Sequence, residues 1–378
     1  MIFYKLPSIL ILLALLFSCK KEINSSNSFI KQSYLIKYSK GLNIEQYENY
    51  SKIIVKTPYQ KADEQLEYYL VREGFDTSEL PTGAKTIQIP LKSVVVNSTT
   101  HIPMLELLKV ENNLVGFPNT RYVSSEKTRK LIDKNQIKEL GNDGSFNTEI
   151  LLELDPDAVI AFSMSAANKS LLTIERSGIP LIYNGDWLEE TPLGRAEWIK
   201  LFGALFDKNE EASNIFNQIE FDYNKAVTIA KDIKETPTIL SGVMFKDIWN
   251  LPAGGSFVAQ FLNDANTNYL WKDTKGKGSL QLSFEAVLDK GQKADIWIAP
   301  GHYESKEQLN NASSHYQEFE AFNNNNIYTF ANKKGKTGGV IYYELAPTRP
   351  DLVLKDIIKI SHPELLPEYK MTFFEKMK

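Results

Sequence analysis

A long amphipathic segment divides this 378-residue chain into two parts of similar character. Across residues 207–233 the apolar side chains recur at steps of three, four or one residue, the spacing of one face of an α-helix. Asp207 is placed to cap the start of this helix, and Pro237 closes it. A helix of about 26 residues spans roughly 39 Å, which is long for a globular protein. The segment predicts a rigid helix between two lobes; the alternative is a long surface helix of one domain.

The parts on either side of this helix repeat one local pattern. Each contains a polar helix cap, a glutamate in the first helical turn, and an aspartate directly before an apolar strand. These residues are Asn147, Glu149 and Asp157 in the first part, and Ser283, Glu285 and Asp295 in the second. Because the two sets have nearly the same spacing, the repeat favours two lobes of one architecture over a single domain.

Strand and helix patterns alternate on both sides of the long helix. Residues 93–97 (SVVVN) form a near-continuous apolar run, as in a buried parallel strand, and a polar turn and a helix at 102–108 follow. Further strands are predicted at 114–116, 158–162, 179–183, 238–245, 295–299 and 327–330, with helices at 147–154, 169–177, 193–206, 256–262, 283–288, 351–360 and 371–377. This alternation predicts α/β lobes with mostly parallel sheets, which bind ligands at the carboxyl ends of their strands.

The first part begins with a stretch of different character. Residues 29–92 are β-rich, and they show none of the helix periodicity that follows. Strands are predicted at 29–37, 50–56, 66–72 and 87–89, with a polar loop at 41–49. We expect these strands to be added to the edge of the first lobe.

Composition excludes one class of partner. Hydrophobic residues make up 43% and charged residues 24% of the chain, which is ordinary for a globular protein and sufficient for two cores. The net charge is -4, and lysine and arginine are scattered without a basic run. A nucleic-acid-binding protein would need a basic patch, so no nucleic-acid partner is expected.

The first 19 residues predict a membrane-targeting segment. Lys5 precedes the apolar run 9–17, which is too short to be an ordinary membrane-spanning helix. The run ends in Leu16-Phe17-Ser18-Cys19, which resembles the lipobox of bacterial lipoproteins, although Phe17 departs from the usual small residue. Cys19 is the only cysteine, so acylation explains both its position and its isolation. The alternative is a simple secretory signal with a chance cysteine.

Several stretches in a fixed order carry a resemblance to a known family. They are the lipobox, SVVVNSTTH, EILLELDPDAVIAF, the long helix, FEAVLDKGQKADIWIAP and TRPDLVLKDIIKISHPELLP. Together they resemble the class III solute-binding proteins of bacterial ABC importers, which bind iron–siderophores, haem and cobalamin. The resemblance runs from about residue 93 to the end, and the β-rich portion and the LGRAEW helix resemble the branch found in Bacteroidetes.

The resemblance implies an α/β fold of two Rossmann-like lobes with mostly parallel sheets, joined by one long spine helix. The ligand is expected between the lobes, in a largely preformed cleft. The expected division is a signal peptide at 1–18, a tether at 19–28, a β-rich extension packed on the N-terminal lobe at 29–92, the N-terminal lobe at 93–206, the spine helix at 207–236 and the C-terminal lobe at 237–378.

The paired glutamates have a role in this family. Glu149 and Glu285 match carboxylates, one on the top of each lobe, that dock against arginines of the transmembrane permease. Exposed carboxylates at a fixed separation suit charge-assisted contacts with arginine. The alternative is that each carboxylate only interacts with the start of its own helix.

The cleft is expected to be lined by the loops that follow the strands. Large planar ligands favour aromatic walls with a few polar or cationic anchors. The predicted ligand-binding residues are Thr99, Thr100, His101, Arg121, Tyr122, Trp249, Ser256 and Tyr303. Further candidates are Trp187, Arg195 and a mobile basic loop with Lys333, Lys334 and Lys336. The alternatives are packing in the core or at the rim for Trp249, Tyr303 and Trp187, and a solvated surface for Arg121. They are pairing with Glu189 or Glu190 for Arg195, and plain solvation for the lysines.

Metal and enzyme chemistry find little support in the sequence. The four histidines, at 101, 302, 315 and 362, show no HxxxH or HxH spacing, so no metal site and no cofactor are predicted. His101 is a candidate ligand if haem is bound, with helix capping as the favoured alternative, and His362 is expected to be structural. The chain has no GxSxG, HExxH, GxxxxGK[ST] or post-strand GxGxxG motif, so it is not expected to be an enzyme.

These observations predict a monomeric substrate-binding lipoprotein of an ABC importer. It would capture a metal chelate, with iron–siderophore first, cobalamin second and haem third, and deliver it to a permease dimer with its ATPase. It would be periplasmic and lipid-anchored to a bacterial membrane, with the outer leaflet of the inner membrane favoured. The alternatives are a scavenging lipoprotein without an importer and, less favoured, an α/β hydrolase.

Overall fold

A computed structural model describes residues 36–142 and 145–378. The signal peptide, Cys19, the tether at 19–28 and most of the strand predicted at 29–37 lie outside the described residues. Within the described ranges, none of the helices combines the length and the apolar character that crossing a membrane requires.

Strands and helices alternate through most of the described chain. The strands are β1 Leu42–Gln46, β2 Tyr50–Val55, β3 Leu66–Val71, β4 Thr86–Gln88, β5 Val94–Val96, β6 Leu114–Phe117, β7 Lys138–Glu139, β8 Gly141–Asn142, β9 Ser145–Phe146, β10 Ala158–Ala161, β11 Leu181–Tyr183, β12 Thr238–Ser241, β13 Val243–Phe245, β14 Ile248–Pro252, β15 Asn268–Tyr269, β16 Ser279–Leu282, β17 Ile296–Ile298, β18 Ile327–Thr329 and β19 Glu375–Lys376. The α-helices are α1 His101–Leu107, α2 Glu126–Asp133, α3 Thr148–Leu154, α4 Lys169–Arg176, α5 Pro192–Ala196, α6 Ile199–Leu205, α7 Asn209–Ala230, α8 Phe257–Asp264, α9 Phe284–Gly291, α10 Lys306–Ala312, α11 Glu320–Asn323, α12 Ile341–Leu345 and α13 Pro350–Ser361.

Two parallel sheets form the centres of two lobes. The first has the strand order β11-β10-β5-β6-β7, and the second has the order β15-β12-β17-β18-β19. All pairs are parallel except β18–β19, where the last strand runs antiparallel at the edge. The central strands are buried on both faces, which explains why they appear in the sequence as continuous apolar runs. The predicted fold of two α/β lobes with mostly parallel sheets is confirmed.

The repeat seen in the sequence corresponds to a repeated hydrogen-bond pair. In the first lobe the Asp157 carboxylate accepts from the backbone N–H of Ser93, whose hydroxyl accepts from the N–H of Asp157. In the second lobe the Asp295 carboxylate accepts from the N–H of Thr238, whose hydroxyl accepts from the N–H of Asp295. Each aspartate therefore joins the starts of two neighbouring parallel strands in the same way.

The N-terminal strands form a separate four-stranded sheet in the order β1-β2-β3-β4. The strands predicted at 50–56, 66–72 and 87–89 are present. Strand β1 lies where a polar loop was predicted, because Leu42 and Ile44 alternate with polar residues and face the core. The sheet contacts the first lobe through the Tyr68 hydroxyl, which accepts from the backbone N–H of Tyr183 at 3.1 Å.

The long helix α7 lies between α6 of the first lobe and α13 of the second. Its predicted apolar face is confirmed, with Ala212, Phe216 and Tyr223 among its buried residues. The predicted cap is wrong: Lys208 is at the N-cap position, and the helix spans Asn209–Ala230. Asp207 has a left-handed backbone (φ 55°) instead of the extended conformation of a cap, and its side chain pairs with Arg72.

Three other predicted elements differ from the structure. The helix predicted at 193–206 is broken into α5 and α6, and the strand predicted at 238–245 is broken by Gly242, which has a φ of 77°. The final helix predicted at 371–377 is wrong. The buried Asp356 carboxylate accepts from the N–H groups of Phe373 and Phe374 there, so these groups are not available to a helix, and β19 pairs with β18.

Candidate functional site

A cavity of about 390 Å³ lies between the two lobes. Its walls come from the loops after β5, β6 and β10 of the first lobe and from the loops around β17 and α12 of the second. They are Asn97, Ser98, Thr99, Phe117, Pro118, Tyr122 and Phe162 on one side, and His302, Gly338, Gly339, Val340 and Tyr343 on the other. The position at the carboxyl ends of parallel strands is the one expected for ligand binding in α/β folds.

Two further cavities adjoin this one, so that together they form a cleft. A cavity of about 670 Å³ in the first lobe shares Asn97, Pro118 and Phe162 with it and extends to Met164. A cavity of about 680 Å³ in the second lobe shares His302 and extends along β13 and Tyr303. The three cavities, called the interlobe cleft below, offer a volume suited to a large small-molecule ligand.

Exposed apolar side chains concentrate at the interlobe cleft. Among the described residues, Tyr122 is 42%, Met164 63%, Phe245 70% and Tyr343 44% exposed. Two of these residues come from each lobe. Exposed apolar surface of this kind marks an interaction site, because burying it is favourable.

Local hydrogen bonds fix the floor of the cleft. The Asn97 side chain at the end of β5 donates to the carbonyl of Phe162 at 2.9 Å and accepts from its N–H at 2.6 Å. The Ser163 hydroxyl donates to the carbonyl of Ser165 at 2.7 Å. These bonds join the ends of two neighbouring strands and hold the Phe162 backbone in place, so the floor exists before a ligand arrives.

One carboxylate holds the lobes together beside the cleft. Glu344 of α12 is buried, and it accepts from the backbone N–H groups of Ser124 at 2.7 Å and Ser125 at 2.9 Å in the first lobe. Gly339 approaches so closely that a Cβ there would lie 2.1 Å from the carbonyl oxygen of Tyr122. Because Ser124 follows Tyr122 by two residues and Glu344 follows Tyr343, this contact sets the separation of the two cleft tyrosines.

The contact through Glu344 predicts a specific pH dependence. Burial raises the pKa of Glu344 to about 7 from its ordinary 4.5, with Glu106 adding to the increase, while the N–H groups of Ser124 and Ser125 oppose it. The folded state holds this proton more tightly than the unfolded chain. The contribution of protonated Glu344 to the free energy of unfolding is therefore fully present below pH 4.5. It is lost as the pH rises through about 7.

Glu344→Gln is expected to remove about 3 kcal/mol of pH dependence from the free energy of unfolding across that window. Urea unfolding of both proteins at several pH values measures it. Glu318→Gln, at an exposed carboxylate, is the matched control, and an unchanged pH slope for Glu344→Gln would contradict the prediction.

The basic loop is attached to its surroundings by several contacts, and its mobility stays a prediction. Its three lysines pair with carboxylates: Lys333 with Glu375 at 4.0 Å, Lys334 with Glu304, and Lys336 with Asp133 at 3.5 Å. The Thr337 hydroxyl also donates to the carbonyl of Arg121 at 2.7 Å. The loop therefore joins the lobes. Its lysines form ion pairs with carboxylates of the same chain.

The structure brings some of the predicted ligand-binding residues to the cleft. Thr99 and Tyr122 line its central cavity, and Tyr303 lines the cavity of the second lobe. Arg121 is exposed beside the cleft, with its guanidinium stacked 4.8 Å from the ring of Tyr122 and donating to the Tyr122 hydroxyl. Whether they contact a ligand stays a prediction.

Four predicted residues lie elsewhere. Trp249 is fully buried among Trp297, Tyr316 and Phe319, and its indole N–H donates to the carbonyl of Ser241, so it belongs to the core of the second lobe. Ser256 is buried as the cap of α8. Thr100 is the N-cap residue of α1, and its hydroxyl pairs with Ser98.

His101 is also misplaced by the prediction, both as a haem ligand and as a capping residue. Its ring is fully buried beside Phe202, and burial lowers its pKa to about 3. Within the described chain neither ring nitrogen has a hydrogen-bond partner. By contrast His362 is structural, as predicted: its Nε2 lies 3.2 Å from the carbonyl oxygens of Ala265 and Asn266.

The two remaining candidates, Trp187 and Arg195, do not line the cleft. Trp187 packs against the cleft residue Phe162 with ring centroids 5.4 Å apart. Arg195 stacks on Phe257 of the second lobe at 4.7 Å, and it does not pair with Glu189 or Glu190 in the described structure. Asp186 nearby is buried, which raises its pKa to about 6 although Arg195 opposes the increase.

Sequence reasoning left most of the wall residues out of its chosen ligand-binding set, including Phe162, His302 and Tyr343. Phe162 is the last residue of the strand predicted at 158–162, and His302 lies three residues after the strand predicted at 295–299, so their positions carried a signal that was available. Tyr343 follows no strand, and only the packing of α12 against the first lobe brings it to the cleft.

Glu149 and Glu285 occupy the same position on equivalent helices. Each is the second residue after its cap, Asn147 for α3 and Ser283 for α9, and both carboxylates are exposed. Hydrogen bonds with its own backbone N–H and with Ser283 lower the pKa of Glu285. The shared geometry keeps a negative charge at the start of one helix in each lobe.

Comparison with known proteins agrees with this architecture. A family described as "Periplasmic binding protein" matches residues 94–333. An uncharacterized lipoprotein of Methanocaldococcus jannaschii is 24% identical over 365 residues, covering 90% of this chain and 85% of that protein.

Two solved structures share the fold. A periplasmic binding protein from Veillonella parvula has a TM-score of 0.61 at 14% identity, covering 85% of this chain and 95% of that chain. The periplasmic heme binding protein HutB of Vibrio cholerae has a TM-score of 0.54 at 16% identity, covering 70% and 99%. Within the described residues no group of three or more His, Cys, Asp or Glu is arranged to hold a metal ion. With its family match, two lobes and a cleft between them, this chain belongs to the periplasmic binding protein family.

Proposed function

We propose that this protein is the substrate-binding lipoprotein of an ABC importer and that it captures a metal chelate between its lobes for delivery to an inner-membrane permease. The single observation that supports this most is the interlobe cleft, with exposed aromatic and apolar side chains contributed by both lobes. Such walls suit the large, flat, partly apolar surface of a chelate better than a small hydrophilic solute.

The chelate class follows from the family and from the shape of the cleft. One solved structure of the same fold is described as a heme binding protein, and the sequence resemblance extends to iron–siderophore and cobalamin binders. Iron–siderophore comes first, cobalamin second and haem third. The protein takes no cofactor of its own, because the metal arrives inside the ligand as cargo.

Anchoring through an acylated Cys19 would hold the protein at the membrane surface. The Glu197 carboxylate accepts from the N–H groups of Lys37 and Ser39, which attaches the start of the described chain to the first lobe. The 18 residues from Cys19 to Lys37 can span at most about 60 Å when extended. That reach allows a monomer on the outer leaflet of the inner membrane to meet a permease in the same membrane.

The ligand bound in the host tests this proposal. The protein is purified from its host without its lipid anchor, and the visible spectrum of the bound material is recorded. Ferric siderophores, corrinoids and haem have distinct absorption bands, and one of these is expected. A protein that carries no chelate, and that binds none when siderophore, corrinoid and haem are added, would overturn the proposal.

Tyr343→Ala is expected to weaken chelate binding about tenfold, because one aromatic contact contributes about 1 to 1.5 kcal/mol beyond area burial. Titration of the ligand-free protein, followed by quenching of tryptophan fluorescence, measures the change. Phe221→Ala is the matched control, since Phe221 is exposed on α7 and does not line the cleft. If the Tyr343→Ala and Phe221→Ala variants bind the chelate with equal affinity, Tyr343 does not contact the ligand.

A further inference from the structure

The wall of the interlobe cleft carries almost no charge. Of the residues that line its three cavities, only Lys169, in the cavity of the first lobe, has a formal charge at neutral pH. No aspartate, glutamate or arginine lines any of the three. His302 lies where two of the cavities meet.

The cations beside the cleft contact other side chains of the protein. Lys333, Lys334 and Lys336 are paired with carboxylates, as described above. Arg121 at the rim stacks on Tyr122, and Lys246 at the tip of the β13–β14 hairpin lies over Phe245 at 5.7 Å. None of these side chains lines the cavities.

A polyanionic ligand would therefore lose hydration without gaining a matched partner. Moving an unpaired charge from water into an apolar site costs several kcal/mol, and only close opposite charges or several hydrogen bonds offset that cost. An uncharged ligand avoids this penalty, and its apolar faces gain from contact with Tyr122, Phe162 and Tyr343. The Thr99 hydroxyl and the His302 ring remain for hydrogen bonds with amide or hydroxyl groups on such a ligand.

On the basis of the proposed function, we infer that the ligand is a metal chelate with no net charge on the surface that enters the cleft. Uncharged corrinoids and neutral ferric trihydroxamates belong to this class. Ferric triscatecholates, with three negative charges, and haem, with two carboxylates, do not. The fold alone is compatible with all of these chelates. The low charge of the cleft wall favours the uncharged ones.

Direct binding measurements separate these classes. The probes are cyanocobalamin, ferrichrome, ferric enterobactin and haemin, each titrated into the ligand-free protein at low and at high salt. One of the two neutral probes is expected to bind at least about 100-fold more tightly than either anionic probe. Its dissociation constant is expected to change less than about twofold with salt, because uncharged partners are not screened.

Tightest binding by ferric enterobactin or haemin, or an affinity that falls more than about tenfold with salt, would overturn the inference while leaving the proposed function intact. Binding of none of the four probes, by a protein that also carries no chelate when purified, would overturn the proposed function itself. The two failures are therefore distinguishable.

A pair of variants at one wall position tests the physical cause. Thr99→Lys places a cation in the central cavity, and Thr99→Gln adds similar bulk without charge. Thr99→Lys is expected to strengthen haemin binding about tenfold relative to Thr99→Gln. Equal haemin affinities would count against the inference, because a missing cation would then not be what excludes anions.

Discussion

Replacing Glu149 and Glu285 together with alanine is expected to reduce importer-dependent uptake about 100-fold and to leave chelate affinity unchanged. Under the proposed function, each exposed carboxylate would offer a charge-assisted hydrogen bond to an arginine of the permease, worth about 1.5 to 3 kcal/mol. Losing two of them costs about 3 kcal/mol or more, which corresponds to about 100-fold in the docking equilibrium. Uptake of radiolabelled chelate by cells that contain the whole importer measures the effect.

The same two helices supply matched controls. Glu153 on α3 and Asp289 on α9 are exposed carboxylates one to two turns further along, and their double alanine variant removes the same net charge. Uptake with that control is expected to stay within about twofold of the wild type, because long-range charge on the surface is screened by salt. Unchanged uptake in the Glu149/Glu285 variant, or an equal loss in the control, would show that the glutamates only support their own helices.

Glu197→Ala is expected to lower the free energy of unfolding by about 3 to 5 kcal/mol. The carboxylate is fully buried, and it accepts from the N–H of Tyr38 at 2.7 Å and from the buried Lys200 ammonium at 2.7 Å, besides the N–H groups of Lys37 and Ser39. Alanine would leave the Lys200 charge buried without this partner and would release the segment at 37–39. Equilibrium unfolding in urea measures the change.

Glu190→Ala is the control that separates the effect of burying an ion pair from the effect of losing one. Glu190 also pairs with two lysines, Lys40 and Lys277, but both lysines are largely exposed. Exposed ion pairs contribute about 0 to 1 kcal/mol, so this variant is expected to unfold nearly as the wild type does. A loss below about 1 kcal/mol for Glu197→Ala would mean that water replaces the lost carboxylate and that the N-terminal segment is not held by it.

The parts of the fold that could be predicted from the sequence depend on interactions between residues close together in the chain. The caps Asn147 and Ser283 each accept from the N–H three residues ahead, so a cap residue and a following apolar run were sufficient to find both helices. The apolar face of α7 follows from the helix period alone. The position where the helix starts was not predictable in this way, because Asp207 has a left-handed backbone and its side chain pairs with Arg72, 135 positions away in the chain.

The sequence predicted where the candidate site lies, but it predicted only some of the residues that line it. Thr99 and Tyr122 lie at strand ends and reach the cleft. Trp249 also lies near a strand end, but the β13–β14 hairpin turns its indole into the core against Trp297 and Tyr316. An aromatic residue in a loop carries the same sequence signal whether it faces a ligand or a core.

The sequence by itself determined the two-lobed plan, the long helix between the lobes and the equivalence of Glu149 and Glu285. These features rest on periodicity, caps and repetition, which involve residues a few positions apart. Only the tertiary structure decided which side chains form the cleft and that its wall carries almost no charge. Those outcomes depend on contacts such as Glu344 with Ser124, which lie 220 positions apart in the chain. Burial and pairing across such a distance are set by packing, which no local pattern encodes.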